Sequence, residues 1–140
     1  IKDALGAGII PVLLVGEREK EESIENILSD QLEKDLAGLF PEQVSKILFA
    51  YEPVWAISTN PGGEADTPEN AVRAIGLIQQ FLSDKYGLSP SPQLYGGSIN
   101  ENNVAEFLKH SEIKGAVIGG ASLRAEEFGN ILKIASDIKT

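Results

Sequence analysis

The sequence predicts an α/β fold made of four parallel strand-plus-helix units. Four short apolar runs lack the polar–apolar alternation of a half-exposed strand, which is typical of strands buried on both faces in parallel sheets. Helical patterns separate the runs, and repeated strand–helix order implies right-handed crossovers. The runs are residues 9–15, 47–51, 93–95 and 116–118. Such units form either an open doubly wound sheet or a (β/α) barrel.

The first helical patterns carry signals at their ends. Residues 1–5 have the character of the end of a helix, and residues 23–39 place apolar side chains three and four positions apart. The next helix begins after Thr67, a good N-cap, with Pro68 at its first position. It ends at Gly87, because glycine readily adopts the left-handed conformation that closes a helix.

Two shorter helices follow the third and fourth runs. Asn100 is suited to cap a helix over residues 101–109, and the last helix covers residues 124–133 or slightly more. His110, the only histidine, lies at the end of the first of these helices. We interpret it as a dipole or capping residue and not as a catalytic one.

Composition narrows the function classes. The chain has 12 basic and 21 acidic residues, a formal net charge of -9, and no basic cluster, which argues against nucleic acid or an anionic membrane as a partner. It has no cysteine and one histidine, so disulfides, thiolate metal sites and multi-histidine metal sites are excluded. No apolar run approaches the ~20 residues of a membrane span, and no leader is evident, so we expect a cytoplasmic protein.

The length of 140 residues predicts a single domain. A complete barrel of eight units needs roughly 250 residues, about twice this length. Four units alone leave two sheet edges and one apolar face uncovered, which favours association with another chain.

Glu52 is the candidate catalytic base. It follows the run 47–51, and active sites of parallel α/β proteins gather where such strands end. A carboxylate at the mouth of an apolar pocket loses hydration, so its pKa rises toward the range of a general base. Pro53 restricts the backbone of Glu52 to extended conformations. Position alone also allows an ordinary exposed glutamate. Glu17 and Arg18 follow the first run and could line the site, but we interpret them as a structural ion pair.

The segment after Glu52 has the composition of a lid. Val54, Trp55, Ala56 and Ile57 are apolar in a region expected to be exposed, and residues 58–66 are small and polar. A loop with an apolar face and pliable ends can close over a pocket and exclude water. The alternative, in which Trp55 only packs beneath a long loop, remains open.

Two glycine pairs follow consecutive apolar runs, within residues 95–98 and 118–122. Glycine lets backbone N–H groups approach a bound anion, and a following helix N-terminus favours negative charge. Each pair alone is also compatible with a tight turn. Together they predict a phosphate site built from backbone amides, which needs no basic patch.

Taken in order, these segments resemble the triosephosphate isomerase family. The resemblance rests on residues 7–17, 50–57, 67–69, 95–98 and 115–123. It covers essentially the whole chain but only the second half of the family's barrel, strands five to eight. It therefore implies that residues 1–140 form a C-terminal half-barrel domain that lacks its N-terminal half.

The resemblance implies an aldose–ketose isomerase of glycolysis and gluconeogenesis, without metal or cofactor. Glu52 would move a proton between adjacent carbons of dihydroxyacetone phosphate and glyceraldehyde 3-phosphate through an enediolate. Residues 53–66 would form the lid, and Tyr95 and Ser98 would latch it closed. The lid residues implied are Pro53, Val54, Trp55, Ala56, Ile57 and Thr59. The implied phosphate-binding residues are Ser58, Ser98, Val117, Gly119 and Gly120.

Two departures from the family pattern bear on activity. Ser58-Thr59-Asn60 stands where the family has Gly-Thr-Gly, and Pro61-Gly62-Gly63 lengthens the lid. The lysine, asparagine and histidine of the family's first half have no counterpart here. Since a general base alone contributes roughly 10²–10⁴-fold, we expect the isolated chain to be inactive or very slow.

Three functional hypotheses follow. The first is a triosephosphate isomerase fragment that works with an N-terminal half-barrel, supplied on the same chain or a separate one. The alternative is a non-catalytic half-barrel module that self-associates into a homo-oligomer and keeps residual phosphate binding. A third, another phosphate-handling barrel such as those of aromatic amino acid synthesis, does not account for residues 52–55.

Overall fold

The computed structural model describes residues 1–20, 23–57, 64–89 and 92–139. Its four strands form one parallel sheet whose spatial order follows the chain order. The strands are β1 (Val12–Val15), β2 (Leu48–Tyr51), β3 (Gln93–Tyr95) and β4 (Ile113–Ala116). This sequential parallel arrangement confirms the predicted α/β class of four β/α units, half the strand number of a (β/α)8 barrel.

Helices connect the strands and cover one side of the sheet. They are α1 (Lys2–Gly6), α2 (Ile24–Asp35), α3 (Pro41–Val44), α4 (Pro68–Tyr86), α5 (Val104–Leu108) and α6 (Ala125–Lys139). Short 3₁₀ turns occupy Val54–Ala56 and Gly120–Leu123. None of the helices within the described residues combines the length and apolar character needed to cross a membrane.

The boundaries of α4 follow the predicted signals. The Thr67 hydroxyl accepts a hydrogen bond from the backbone N–H of Asn70 at 3.2 Å, which caps the helix as expected. Gly87 adopts a left-handed conformation with φ of 66° and ends it. Both predictions are confirmed.

Several other boundaries differ from the sequence expectation. β1 begins at Val12 and not at residue 9, and Ile9 and Ile10 are 60% and 66% exposed. β4 covers residues 113–116 where we predicted 116–118, because buried Ile113 pairs with Gln93 while the later apolar residues lie beyond the strand end.

The helices differ at their ends as well. α2 ends at residue 35, where a turn at residues 36–38 begins, and α5 begins at residue 104, with Asn103 in the N-cap position predicted for Asn100. α6 continues to residue 139, and α3 was not predicted. These differences are local and leave the order of the units unchanged.

The core lies between the sheet and its helices. Phe49, Tyr51, Tyr95 and Ile113 point to this side and are at most 1% exposed. Apolar residues of α2 and α4 pack against them, and α2 and α4 also contact each other. Burial of these large side chains is the main favourable term that orients the strands.

The opposite face of the sheet is only partly covered. The strand register places Leu14, Ala50 and Leu94 side by side on this face, with Val12 on the same side of β1. Val12 is 44% exposed and Leu14 is 40% exposed. Among the strands that the structure describes, β1 and β4 each have a single neighbour. The face and both edges thus offer apolar surface and backbone groups to further strands.

Candidate active site

The residues that directly follow the strands are aligned at the carboxyl edge of the sheet. Glu52, Gly96 and Val117 follow β2, β3 and β4, and each donates its backbone N–H at 2.8 Å to a carbonyl at the end of the neighbouring strand. These bonds continue the parallel ladder one step beyond each strand. The three residues therefore lie next to each other around one opening.

A cleft of about 380 Å³ occupies this opening. Its lining contains six predicted site or lid residues: Glu52, Ile57, Ser98, Val117, Gly119 and Gly120. It also contains Gly96 and Gly97, which form the first predicted glycine pair, and four residues without a predicted role in the site: Ile99, Asn100, Ala121 and Arg124. The volume falls in the range of small-molecule sites.

Glu52 is half-buried in the lining of the cleft, and burial raises the pKa of its carboxyl above the ordinary value. Its side chain lies on the backbone of Gly96, since a methyl group added there would come within 2.9 Å of Oε2. Its carbonyl group lies against Gly16, where an added methyl group would come within 2.1 Å of the oxygen. Two glycines thus make room for this glutamate.

The two glycine pairs have different surroundings. A methyl group on Gly97 would lie 2.0 Å from the Tyr95 hydroxyl oxygen, so the first pair makes room for side chains of the protein itself. Methyl groups on Gly119 and Gly120 would meet no other atom within 4 Å. The second pair therefore faces the open cleft, where a ligand has access to its backbone.

Ser98 ties the third strand end to the segment after Glu52. Its hydroxyl donates to the carbonyl oxygen of Ala56 at 2.8 Å, and its backbone N–H is 3.3 Å from the same oxygen. Ala56 is buried within the 3₁₀ turn of residues 54–56. This contact holds the first part of the predicted lid against the cleft rim.

Glu17 anchors the other side of that turn. It is only 3% exposed, and its Oε1 accepts hydrogen bonds from the Tyr51 hydroxyl at 2.7 Å and the Trp55 indole at 2.9 Å. Its backbone carbonyl accepts from the N–H of Val54 at 2.9 Å. The sequence pattern favours an ion pair for Glu17 and contains no signal for this role as an acceptor. Trp55 is therefore placed by both packing and a charge-assisted bond.

Asp66, two residues before α4, and Tyr95, the last residue of β3, have neighbouring side chains. Burial raises the pKa of the Tyr95 hydroxyl, and the nearby Asp66 carboxylate raises it further. Burial also raises the pKa of Asp66, although the hydrogen bonds from Asn70 and the backbone of Thr67 oppose that shift. Tyr95 thus remains a protonated donor next to the end of the predicted lid.

The remaining predicted site and lid residues lie either next to Glu52 or outside the described part of the chain. Pro53 is buried and Val54 is 36% exposed, both next to Glu52. Ser58 and Thr59 lie outside the described residues. Among residues that the structure does describe, no group of three or more His, Cys, Asp or Glu side chains is arranged to hold a metal ion.

Comparison with known proteins relates this chain to a single family. The triosephosphate isomerase family model matches residues 1–135. The triosephosphate isomerase of Dictyoglomus thermophilum is 42% identical over 139 residues, which cover 95% of this chain and 55% of the relative. That of Dehalococcoides mccartyi (strain ATCC BAA-2266) is 46% identical over 145 aligned positions, covering 99% of this chain and 55% of the relative. The chain thus spans about half the length of these relatives.

Proposed function

The chain belongs to the triosephosphate isomerase family, and from this premise we propose that it forms the C-terminal half of the isomerase barrel. With the barrel complete, it interconverts dihydroxyacetone phosphate and glyceraldehyde 3-phosphate. The proposed setting is the cytoplasm, where this reaction serves glycolysis and gluconeogenesis. Four parallel strands and a match to about half of each relative's length support the half-barrel assignment.

One observation carries the catalytic proposal: a half-buried carboxylate and an unobstructed glycine pair line the same cleft. Glu52 removes a proton from one carbon of the bound triose phosphate and returns it to the neighbouring carbon. Its raised pKa supports this role, because a stronger base removes a carbon-bound proton more readily. The backbone N–H groups of Gly119 and Gly120 are the proposed phosphate donors, and we propose Ser58, Ser98 and Val117 as further phosphate-binding residues.

We propose residues 53–66 as the lid that excludes water from the enediolate. Trp55 and Ala56 support this role, because their bonds to Glu17 and Ser98 connect the turn to two different strand ends. Tyr95 acts with Ser98 as the latch. Water exclusion strengthens the electrostatic interactions within the closed site and prevents side reactions of the intermediate.

Full activity requires the complementary half of the barrel. The described cleft holds one carboxylate and one guanidinium, and a proton transfer to carbon also needs groups that stabilise the developing negative oxygen. We propose that strands from the other half supply them. The exposed Val12 and Leu14 side chains and the unpaired edges of β1 and β4 are the surfaces on which that half would pack.

The test is an isomerase assay of this chain mixed with the N-terminal half of a relative. We expect turnover in the mixture and little or none in either piece alone. Glu52→Gln should lower turnover at least ~10²-fold with the assembly intact. Glu106→Gln, which alters an exposed acid on α5, is the matched control and should retain activity. Unchanged turnover in the Glu52→Gln assembly would remove Glu52 as the base.

The pH profile of the same mixture adds a second readout. Glu52 must be ionised to accept a proton, and burial raises its pKa above the ordinary 4.5. The acid limb of turnover should therefore have its midpoint above pH 4.5. If only a self-associated form of this chain appears, with phosphate binding and no turnover in any mixture, the non-catalytic module would be the better description.

A further inference from the structure

Few charged side chains line the cleft. Of its described lining residues, Glu52 and Arg124 alone carry a formal charge at neutral pH. The whole chain has a net charge of -9, so a cation close to a bound phosphate would offset an unfavourable field and add to what the backbone amides supply. Arg124 is the one described lining residue that could supply it.

The position of Arg124 connects it to the unobstructed glycine pair. It follows the 3₁₀ turn Gly120–Leu123 and directly precedes α6. Its Nη1 lies 3.5 Å from the carbonyl oxygen of Gly120, at the outer limit of a hydrogen bond. The guanidinium therefore lies beside the backbone that we propose as the phosphate cradle.

Glu127 holds the guanidinium in this position. Its Oε2 accepts from both Nε and Nη2 of Arg124, three residues earlier in the chain. The Arg124 side chain is 64% exposed, whereas that of Glu127 is 15% exposed. One edge of the guanidinium is thus tethered, and the Nη1 side faces the glycine backbone. A guanidinium has five N–H donors in a planar fork, so it can bind two anionic groups at once.

We propose that Arg124 is a phosphate-anchoring and specificity-determining residue of this site. This proposal rests on the proposed function, because it takes the phosphate group of a small sugar phosphate as the ligand. Arg124 offers a charge-assisted contact to the phosphate dianion, in addition to the backbone N–H groups of Gly119 and Gly120. It favours phosphorylated over unphosphorylated trioses and takes no part in proton transfer at Glu52.

The contribution of Arg124 is moderate because water screens an exposed guanidinium and Glu127 already neutralises part of its charge. We expect removal of the charge to weaken phosphate binding about three- to tenfold at low ionic strength. The difference should shrink as salt is added, since an exposed interaction is screened.

The experiment measures the Kd of the full chain for inorganic phosphate by calorimetric or NMR titration at low and high salt. Arg124→Gln is compared with Arg73→Gln, which removes the same charge from α4, where Arg73 is exposed and lines a different cavity. Arg124→Lys keeps the charge, and Glu127→Gln removes the competing carboxylate. Far-ultraviolet circular dichroism compares the fold of the four variants.

The proposal expects a three- to tenfold higher Kd for Arg124→Gln, a smaller loss for Arg124→Lys, and binding by Glu127→Gln at least as tight as in the unaltered chain. Equal affinities of Arg124→Gln and Arg73→Gln would overturn it. So would an equal loss in Glu127→Gln, which would show that the ion pair only supports the local fold. Absence of phosphate binding by the unaltered chain would overturn this proposal and the phosphate site together. Salt-sensitive, Arg124-dependent binding without turnover in the mixed assay would support this proposal and contradict the isomerase assignment.

Discussion

Replacement of Tyr51 by Phe tests whether buried Glu17 is held by a charge-assisted bond. Tyr51 is fully buried, and its hydroxyl donates to Oε1 of Glu17 at 2.7 Å. The same hydroxyl accepts from the side-chain amide of Asn70 at 3.1 Å. The substitution removes one oxygen and leaves the ring in place, so packing changes little.

The expected loss follows from the groups left behind. Glu17 is 3% exposed and would keep a single side-chain donor on Oε1, the Trp55 indole. A hydrogen bond to a charged group contributes about 1.5–3 kcal/mol, and an unsatisfied buried group adds to the cost. Asn70 keeps its bond to Asp66, so little is added there. We expect Tyr51→Phe to lower the free energy of unfolding by about 2–3 kcal/mol.

Tyr86→Phe is the matched control. The Tyr86 hydroxyl donates to the neutral carbonyl of Leu36 at 3.2 Å in a partly buried position, so its loss should cost only about 0.5–1.5 kcal/mol. Urea unfolding at neutral pH measures both values, and the fluorescence of Trp55, the only tryptophan, reports its surroundings in Tyr51→Phe. A loss for Tyr51→Phe no larger than that for Tyr86→Phe would refute the charged-acceptor argument.

Two further predictions concern the support of Glu52 and the buried tyrosines. Gly16→Ala should destabilise the fold by about 1–3 kcal/mol or more in urea unfolding, because the new methyl group would come within 2.1 Å of the Glu52 carbonyl oxygen. The control is Gly76→Ala, in the middle of α4 with open space around it, which should be neutral or stabilising by up to about 1 kcal/mol. Equal effects of the two substitutions on stability would contradict the close approach of Gly16 to Glu52. Burial raises the pKa of both Tyr51 and Tyr95 above the ordinary 10.0, so above pH 10 the unfolded chain loses these protons first, and stability should fall by up to about 1.4 kcal/mol per pH unit for each group. Urea unfolding across the alkaline range measures this pH dependence. A free energy of unfolding that stayed constant above pH 10 would contradict the prediction.

The position of Glu52 could be predicted from the sequence because its signals are local. An apolar run ends, an acid follows, and a proline restrains it, so one short segment carries both the element and the chemistry. The glycine pairs are also local signals, but their roles are not. Gly97 adjoins the Tyr95 hydroxyl and Gly119 adjoins open space, a difference that depends on the path of side chains from other segments.

The roles of Glu17 and Arg124 could not be predicted from the sequence, because they depend on residues far away in the chain. Glu17 meets Tyr51 and Trp55 across 34 and 38 positions of the chain, and neither spacing has a periodic signature. The sequence pattern predicts only that Arg124 lies at the start of a helix. Its place in the cleft depends on the approach of the fourth strand end to the second and third.

By itself, the sequence determined the α/β class, the four-unit order, the main helix signals and the identity of the candidate base, since each depends on periodicity or on neighbouring residues. The tertiary structure alone decided which residues share the cleft, which glycine pair is open, and how Glu17 and Arg124 are held. Those features depend on contacts between residues far apart in the chain. Such contacts form only when burial of the apolar core brings the strand ends to one edge of the sheet.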